Sequence, residues 1–304
     1  MLDVALLGTG GMMPLRDRFL TSLMLRYNGK FLMVDCGEGT QISLKILGWG
    51  FKNIDVICFT HYHADHISGL PGILLTVGNS GRTKPMTLIG PEGLKKVYEG
   101  LSVIFPELPF EVNCIEVTDA EKFSFMLDDM EITVNEADHI IRCLSYGFYL
   151  KRKGKFDAEK ASSLNIPKNL WASLQNNKSV VFNGVKYDSE MVMGKERRGI
   201  KVCYCTDSRP VKTLPDFIKN ADLFICEGMY GEEEKFEKAL KYKHMIFSEA
   251  ATLAKEGNVK KLWLTHYSPA LPEPEIFYEC AAKIFENTVV AYDRITDKLL
   301  FENE

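Results

Sequence analysis

Four side chains of the kinds that bind metal ions stand within six consecutive residues, directly after a strand-like apolar run over 54–60. They are His61, His63, Asp65 and His66. Burying three imidazoles and a carboxylate this close together without a cation would be unfavourable, because their polar atoms could not all find partners. Imidazole and carboxylate are also the ligands preferred by zinc and other first-row divalent ions. The chain has only six histidines, so three of them within six residues would rarely occur together by chance. The pattern therefore predicts a metal site at the end of a strand.

Three further candidate ligands follow other strand-like runs. His139, Asp207 and His266 each come shortly after such a run, and the carboxyl ends of strands are where layered α/β folds place their sites. Each residue alone is a weak signal, because an aspartate after a strand is usually a turn or cap residue. Together the seven side chains are enough to hold two metal ions that share a bridging carboxylate.

The apolar runs favour a layered α/β or α+β fold. The first half of the chain is rich in adjacent strands that suit antiparallel pairing, and the second half alternates strands with helices. Strands are predicted over 2–7, 22–27, 31–35, 54–60, 86–89, 131–135, 145–150, 201–205, 222–226, 261–265 and 288–292. Helices are predicted over 38–47, 70–77, 92–104, 248–256 and 273–286. No repeat or low-complexity linker divides the chain, so a single domain over 1–304 is expected.

Charge is unevenly distributed along the chain. The net charge is −4, which is too even a balance for a generally basic nucleic-acid-binding protein. However, the segment 151–201 carries twelve Lys or Arg and five Asp or Glu, or +7, which leaves −11 on the other residues. A basic insertion on an acidic body is what a local contact with a polyanion requires. A solvated surface arm is the alternative interpretation.

Cysteine usage and the amino terminus indicate the compartment. The eight cysteines contain no CxxC pair and lie mostly in apolar runs, which is typical of reduced thiols in a core. The first residues lack the basic start of a signal peptide, and no run reaches the roughly 20 apolar residues that a membrane-spanning helix needs. We therefore expect a cytoplasmic protein that does not contact a membrane.

Several motifs resemble those of the metallo-β-lactamase superfamily and, within it, the ribonuclease Z family, whose members trim the 3′ trailer of precursor tRNA. The motifs are LGTGG at 7–11 with Pro14 and Arg18, DCGEGTQ at 35–41, THYHADH at 60–66, GLPGIL at 69–74, IGPEGL at 89–94, CTDSRP at 205–210 and LTHYS at 264–268. The resemblance runs over nearly the whole chain. It implies a four-layer αββα sandwich in which 151–201 is an inserted, exosite-like arm.

The resemblance also implies a role for each candidate residue of the metal site. One divalent cation would have the ligands His61, His63 and His139, the other would have Asp65, His66 and His266, and Asp207 would bridge the two. Zn²⁺ is the expected ion, with Mn²⁺ or Fe as alternatives. Asp65 would accept the proton of the attacking water, His244 would donate a proton to the leaving group, and Glu227 could orient His244.

Substrate contacts are expected from two places. Gly10 and Gly11 would let backbone N–H groups approach a phosphate, with a tight turn as the alternative, and Arg18 belongs to the same motif. The other place is the start of the basic insertion, with Lys151, Arg152 and Lys153. The resemblance further implies a homodimer in which the arm of one subunit serves the site of the other.

The expected function is that of a binuclear metal-dependent phosphodiesterase, an endoribonuclease that removes the 3′ trailer of precursor tRNA and has RNA, not DNA, as its partner. Other phosphodiesters remain an alternative, such as a cyclic nucleotide or a small RNA, because Lys168 stands where the family arm has a Gly-Pro step. Two further alternatives are a thioester hydrolase resembling glyoxalase II and a metal-containing protein that binds RNA without cutting it.

Overall fold

The computed structural model describes residues 1–105, 107–176 and 179–302. The strands in these ranges are β1 (Leu2–Gly8), β2 (Ser22–Tyr27), β3 (Lys30–Val34), β4 (Ile54–Cys58), β5 (Met86–Pro91), β6 (Val112–Val117), β7 (Ser124–Leu127), β8 (Met130–Ala137), β9 (Cys143–Arg152), β10 (Val180–Phe182), β11 (Val185–Tyr187), β12 (Arg197–Cys205), β13 (Leu223–Glu227), β14 (Leu262–Thr265), β15 (Thr288–Val290) and β16 (Thr296–Leu299).

The helices of the described ranges alternate with many of these strands. They are α1 (Thr40–Leu47), α2 (Ala64–Ile67), α3 (Leu70–Asn79), α4 (Leu94–Ser102), α5 (Ala158–Ser163), α6 (Lys168–Gln175), α7 (Leu214–Phe217), α8 (Phe236–Tyr242), α9 (Phe247–Glu256) and α10 (Tyr278–Ala282). Short 3₁₀ turns lie at Ser189–Met191, Glu233–Lys235 and Pro274–Phe277. Across the parts of the chain that the structure describes, no helix has both the length and the apolar character to cross a membrane.

Fourteen of the strands form two seven-stranded sheets. The first has the order β16-β1-β2-β3-β4-β5-β6, and the second has the order β15-β14-β13-β12-β9-β8-β7. The expectation of antiparallel pairing in the first half is wrong in part, since β3, β4, β5 and β6 run parallel to one another. Antiparallel pairs join β16, β1, β2 and β3 in the first sheet, and β7 with β8 in the second. Parallel neighbours need crossover connections, and helices α1, α3 and α4 lie in these connections.

In the middle of each sheet both faces are buried, which gives the sandwich its layers. On β3, Phe31 and Met33 belong to a core cluster with residues of α1 and α3, while Leu32 alternates with them and is also buried. On β13, Phe224 packs in a cluster with residues of α9 and α10, and Ile225, on the opposite face, is equally buried. Because side chains alternate along a strand, one face of each sheet packs against helices and the other against the second sheet. The predicted αββα sandwich of the α/β class is confirmed.

A second compact unit consists of Leu150–Gly199 with Phe301–Glu304, and the first unit holds Met1–Tyr149 and Ile200–Leu300. The second unit has a core of its own, formed by Ala161, Ile166, Leu170, Leu174 and Val192. It covers nearly the same residues as the predicted insertion 151–201, of which Asn177 and Lys178 lie outside the described residues.

The helix predicted over 273–286 is wrong in its extent. A 3₁₀ turn occupies Pro274–Phe277, and only Tyr278–Ala282 is α-helical. The ring of Phe277 lies so close to Gly231 that a Cβ there would be 2.5 Å from it. Tertiary packing around this ring thus overrides the helical periodicity of the sequence.

Candidate metal centre

Loops at the carboxyl ends of strands from both sheets bring the predicted ligands together. His61 and His63 follow β4, Asp65 and His66 lie on α2, and His139 follows β8. Asp207 and His266 follow β12 and β14, each with a positive φ, of 50° and 57°. This left-handed conformation turns the chain sharply at the strand end, and it is uncommon for residues other than glycine.

A first group of ligand atoms joins three histidines to Asp207. His63 Nδ1 lies 2.9 Å from His61 Nε2 and 3.4 Å from His139 Nε2. Oδ2 of Asp207 lies 3.5 Å from His61 Nε2 and 3.6 Å from His139 Nε2. One ligand atom from each of the four residues lies within 4.8 Å of the others.

A second group faces the other oxygen of the same carboxylate. His66 Nε2 and His266 Nε2 are 3.2 Å apart, and Asp65 Oδ2 is 3.6 Å from the first and 3.5 Å from the second. Oδ1 of Asp207 lies 3.4 Å from His66 Nε2 and 3.0 Å from His266 Nε2. Asp207 therefore faces one group with each oxygen, which is the arrangement of a bridging ligand.

The chemistry of these donors fits metal ions. Imidazole nitrogens face one another at hydrogen-bond distance, and a pair of nitrogens can share only one proton, so several lone pairs in the cluster point inward. Burial lowers the pKa of His61 well below its usual value, which favours the neutral imidazole that binds metal. Burial opposes the charge on Asp207, but His266 and His66 outweigh it and hold the pKa of that carboxyl well below its usual range. A cation between these atoms would use lone pairs that otherwise repel.

A residue that the sequence analysis did not assign, Asp35, supports the second group from behind. Its Oδ2 accepts a hydrogen bond from His66 Nδ1 at 2.8 Å, and its Oδ1 accepts one from the Thr60 N–H at 2.8 Å. Burial raises the pKa of Asp35. A carboxylate on the outer nitrogen of a histidine fixes the tautomer and ring orientation of a metal ligand. The available signal was an aspartate at the end of β3, within the 35–41 motif.

His244 reaches the cluster from the loop between α8 and α9. Its ring centroid is 5.3 Å from that of His139 and 5.7 Å from that of His266. Its Nδ1 donates to Glu227 Oε2 at 3.0 Å, and Glu227 Oε1 accepts the N–H of Ser208 at 2.6 Å. Burial lowers the pKa of His244, but the charge and hydrogen bond of Glu227 outweigh it, so the pKa is raised overall.

A cavity of about 360 Å³ opens beside the cluster. Several lining residues carry apolar, aromatic or basic side chains that the sequence analysis did not single out, namely Met12, Ile140, Met229, Tyr230, Lys238 and Tyr242. They come from loops and from α8, which are distant in sequence and carry no shared motif. Their common position is visible only in the folded chain.

The predicted phosphate contacts of Gly10 and Gly11 have other partners in the structure. The N–H of Gly10 donates to Phe19 O at 2.9 Å, and the N–H of Gly11 donates to Tyr267 O at 3.0 Å. A Cβ on Gly11 would lie 2.6 Å from the ring of His266. Gly11 therefore leaves room for a metal-ligand candidate, and the substrate-binding role of both glycines stays a prediction.

The predicted basic contacts lie in two places. The guanidinium of Arg18 donates to the carbonyl oxygens of Leu271 and Pro272, each at 2.8 Å. In the second unit, Arg152 donates to the carbonyl of Glu302 at 2.6 Å. Lys151 ends β9 together with Arg152, and Lys153 follows. The roles of these four residues in binding substrate stay predictions.

Comparisons with known proteins indicate the family to which the chain belongs. Ribonuclease Z proteins of Clostridium acetobutylicum and Lachnospira eligens are 53% identical over 308 residues and 55% identical over 304 residues, and both alignments cover 100% of each chain. The crystal structure of human tRNase Z, short form, has a TM-score of 0.70 at 23% identity and covers 98% of this chain and 100% of its own.

Two further matches extend the comparison. The metallo-β-lactamase fold protein YhfI from Bacillus subtilis has a TM-score of 0.69 at 17% identity and covers 97% of this chain and 98% of its own. At such identities the solved structures support the fold alone. The family model described as Anti-Pycsar protein Apyc1 matches residues 2–193. With full-length relatives at more than half identity, the chain belongs to the ribonuclease Z family, and through residues 2–193 also to the family of that model.

Proposed function

We propose that the protein is a metal-dependent endoribonuclease that removes the 3′ trailer of precursor tRNA. One observation carries the proposal: two ligand groups share Asp207 and lie beside His244, in a chain that aligns from end to end with ribonuclease Z proteins. In a metal-dependent hydrolase of phosphodiesters, clustered ligands hold the ions that activate water, and a nearby proton donor assists the leaving group.

The two ligand groups support a site for two divalent cations, with Zn²⁺ as the preferred ion. One group would use His61, His63 and His139, the other Asp65, His66 and His266, with Asp207 between them. When bound, such ions lower the pKa of a nearby water and offset negative charge on a phosphate. Mn²⁺ and Fe suit the same ligands, since imidazole and carboxylate accept several first-row ions.

The protein's own side chains supply proton transfer at both ends of the reaction. Asp65 would accept a proton from the water that attacks phosphorus. His244 would give its proton to the ribose oxygen that departs, and Glu227 would hold the ring in place. Because a mature tRNA must end in a free 3′ hydroxyl, the bond that breaks is the one between phosphorus and the 3′ oxygen. The trailer keeps the phosphate, now joined to the oxygen of water.

RNA would contact the chain outside the cluster as well. The charge of +7 on 151–201 supports an RNA-binding arm that includes Lys151, Arg152 and Lys153. We infer that this insertion belongs to one hydrolase domain over 1–304, with Gly10, Gly11 and Arg18 near the substrate. We further propose that the protein is a homodimer, that it is located in the cytoplasm and that it does not bind DNA.

A cleavage assay on precursor tRNA tests the function. The protein loaded with Zn²⁺ or Mn²⁺ should release the trailer as one fragment, and Asp65→Ala and His244→Ala should each reduce the rate by about 10²- to 10⁴-fold. Hydrolysis of bis(p-nitrophenyl) phosphate without trailer cleavage would instead favour a small phosphodiester as substrate. Binding of the precursor with neither activity would favour an RNA-binding protein without catalysis. Hydrolysis of a glutathione thioester alone would favour the glyoxalase II-like alternative.

A further inference from the structure

The cavity beside the metal centre has two chemically different sides. On one side the N–H of Met12 donates to Asp65 Oδ2 at 2.6 Å, so this side adjoins the proposed proton acceptor. On the other side His244 adjoins Tyr230, with ring centroids 6.5 Å apart and nearly perpendicular planes. In an in-line displacement the attacking and departing oxygens lie on opposite sides of phosphorus. The side next to His244 is therefore the side of the leaving group.

Three residues form the wall of the cavity on this side, and we call Tyr230, Lys238 and Tyr242 the aromatic wall. Lys238 and Tyr242 are four residues apart on α8, which places both on one face of the helix. Ala239 is the buried residue of that helix and packs with Met229, Tyr230 and Ile246 in a small core cluster, so α8 is anchored behind the wall.

The wall presents a ring and a cation to the cavity. Tyr242 is 41% exposed although it is aromatic, and it lines the cavity. Lys241 Nζ lies over its ring, 5.2 Å from the centroid, so a base would stack on the opposite face. Lys238 Nζ lies 5.1 Å from the centroid of the Tyr230 ring, a cation–π distance that holds its ammonium group beside the cavity. Within the parts of the chain that the structure describes, no carboxylate forms an ion pair with Lys238. An exposed ring next to an unneutralised cation matches the base and the phosphate of a nucleotide.

We propose that the aromatic wall binds the nucleotide whose 3′ oxygen departs, which is the last nucleotide of the tRNA after the trailer is removed. Its base stacks on Tyr242, and the phosphate on its 5′ side contacts Lys238, which Tyr230 holds in position. This subsite rests on the proposed function, since it needs an RNA strand that crosses the cavity. Stacking on an aromatic side chain tolerates any base, so the wall would position the cut without selecting a sequence.

Precursor tRNAs with single abasic sites test the subsite. One substrate lacks the base on the 5′ side of the cut, a second lacks the base on the 3′ side, and a third is intact. In the unmodified protein, the 5′ abasic site should lower kcat/KM about tenfold or more, and the 3′ abasic site should have a much smaller effect. Tyr242→Ala should cleave the intact substrate with the same lowered kcat/KM that the unmodified protein shows on the 5′ abasic substrate. The 5′ abasic site should cause no further loss in this variant. Tyr242→Phe should keep the activity.

Matched variants control for folding and charge. Tyr278→Ala removes a comparably exposed tyrosine from α10, outside the cavity lining, and should behave as the unmodified protein. Lys238→Gln should weaken binding of the precursor and reduce its salt dependence by about one phosphate contact, whereas Lys255→Gln on α9 should not. Thermal melting by circular dichroism checks that each variant is folded.

Three results would overturn the inference. The 5′ abasic site could leave cleavage by the unmodified protein unchanged, or it could impose the same loss on Tyr242→Ala as on the unmodified protein. Alternatively, only the 3′ abasic site could be coupled to Tyr242, which would place the trailer on the wall. If the intact precursor is not cut at all, the proposed function fails and the subsite fails with it. If the intact precursor is cut, any of the three results above contradicts the subsite alone.

Discussion

Three residues that follow strands at the metal centre hold a left-handed backbone conformation. Asp35, Asp207 and His266 have φ values of 57°, 50° and 57°, and each stands at or just after the end of a strand. Such a conformation costs on the order of 1–3 kcal/mol per residue and persists where the surroundings determine it. Here it turns the chain at the strand end, so that Asp207 and His266 point into the cluster and Asp35 contacts His66 from behind it.

Glu227 sets the proton affinity of His244, and this has a consequence for the pH dependence of cleavage. Since a proton donor works in its protonated form, activity falls as the pH rises through the pKa of His244. Glu227 raises that pKa, so Glu227→Gln should lower it and move the alkaline limb of the kcat/KM profile to lower pH. Measuring the profile for both proteins, with Glu256→Gln on α9 as a control, checks the shift. An unchanged alkaline limb would remove Glu227 from this role.

Residue type and position predicted which candidate ligands lie together, but they did not predict the residue that holds His66 in place. His61, His139, Asp207 and the other candidate ligands could be found because their types are rare and each follows a strand. Asp35 could not, because an aspartate at a strand end resembles an ordinary turn residue until His66 is seen 2.8 Å away. Likewise, the phosphate contact of Gly11 stays a prediction, and only the folded chain shows that its lack of a side chain makes room for the ring of His266.

At the scale of elements, Arg209 joins the loop that carries Asp207 to the loop that carries His244. Its Nη1 donates to the carbonyl of His244 at 2.5 Å and to Glu249 Oε2 at 2.8 Å, and its Nη2 also donates to Glu249. Glu249 in turn accepts the N–H of Ile246 at 3.1 Å at the start of α9. The guanidinium thus ties the proposed proton donor to the metal loop through the backbone.

Replacing Arg209 should loosen this connection. Arg209→Met should lower kcat at nearly unchanged KM and lower the free energy of unfolding by about 2 kcal/mol, because it leaves Glu249 without its charged partner. Arg209→Lys should be intermediate, since an ammonium group cannot reproduce the fork of a guanidinium. The matched control is Arg142→Met, which loses comparable bonds to Glu136 and to the carbonyl of Val117. Equal losses of kcat in both variants would contradict a specific role for Arg209.

Most strands of the sandwich could be predicted because their cores are apolar and β-branched, whereas the elements of the second unit could not. Strands β10 and β11 are three residues each, too short for a periodic pattern. The signal that remained was the turn between them, where Asn183 and Gly184 both have positive φ, as a tight hairpin requires. At the other end of the chain, β16 has alternating burial and little apolar character, so pairing with β1 defines it as a strand.

At the scale of the whole molecule, the basic charge of the insertion is concentrated at its two ends. Residues 151–155 and 195–201 hold eight of the twelve basic residues and one acidic residue, which gives +7. Between them, 156–193 holds four basic and four acidic residues, for a net charge of zero. The two ends meet, since the N–H of Gly194 donates to Lys155 O at 2.8 Å. If charge attracts tRNA to this segment, the base of the arm does so and its tip does not.

Because the charge lies at the base of the arm, two variants of the arm should differ in the salt dependence of tRNA binding. Replacing 156–193 with a two-residue Asn-Gly turn should leave the salt dependence of precursor tRNA binding nearly unchanged, because no net charge is removed and the ends already lie together. The second variant is the triple substitution Lys153→Gln, Lys155→Gln and Lys195→Gln. It should reduce the magnitude of the negative slope of log K against log salt by about one for each phosphate that a lysine no longer neutralises. Its control exchanges three exposed lysines elsewhere, Lys45, Lys96 and Lys255. Deleting 156–193 could instead reduce the magnitude of this slope strongly while the triple variant leaves it unchanged. That result would place the RNA-binding surface on the tip, and it would show that the lysines of the tip bind the phosphates.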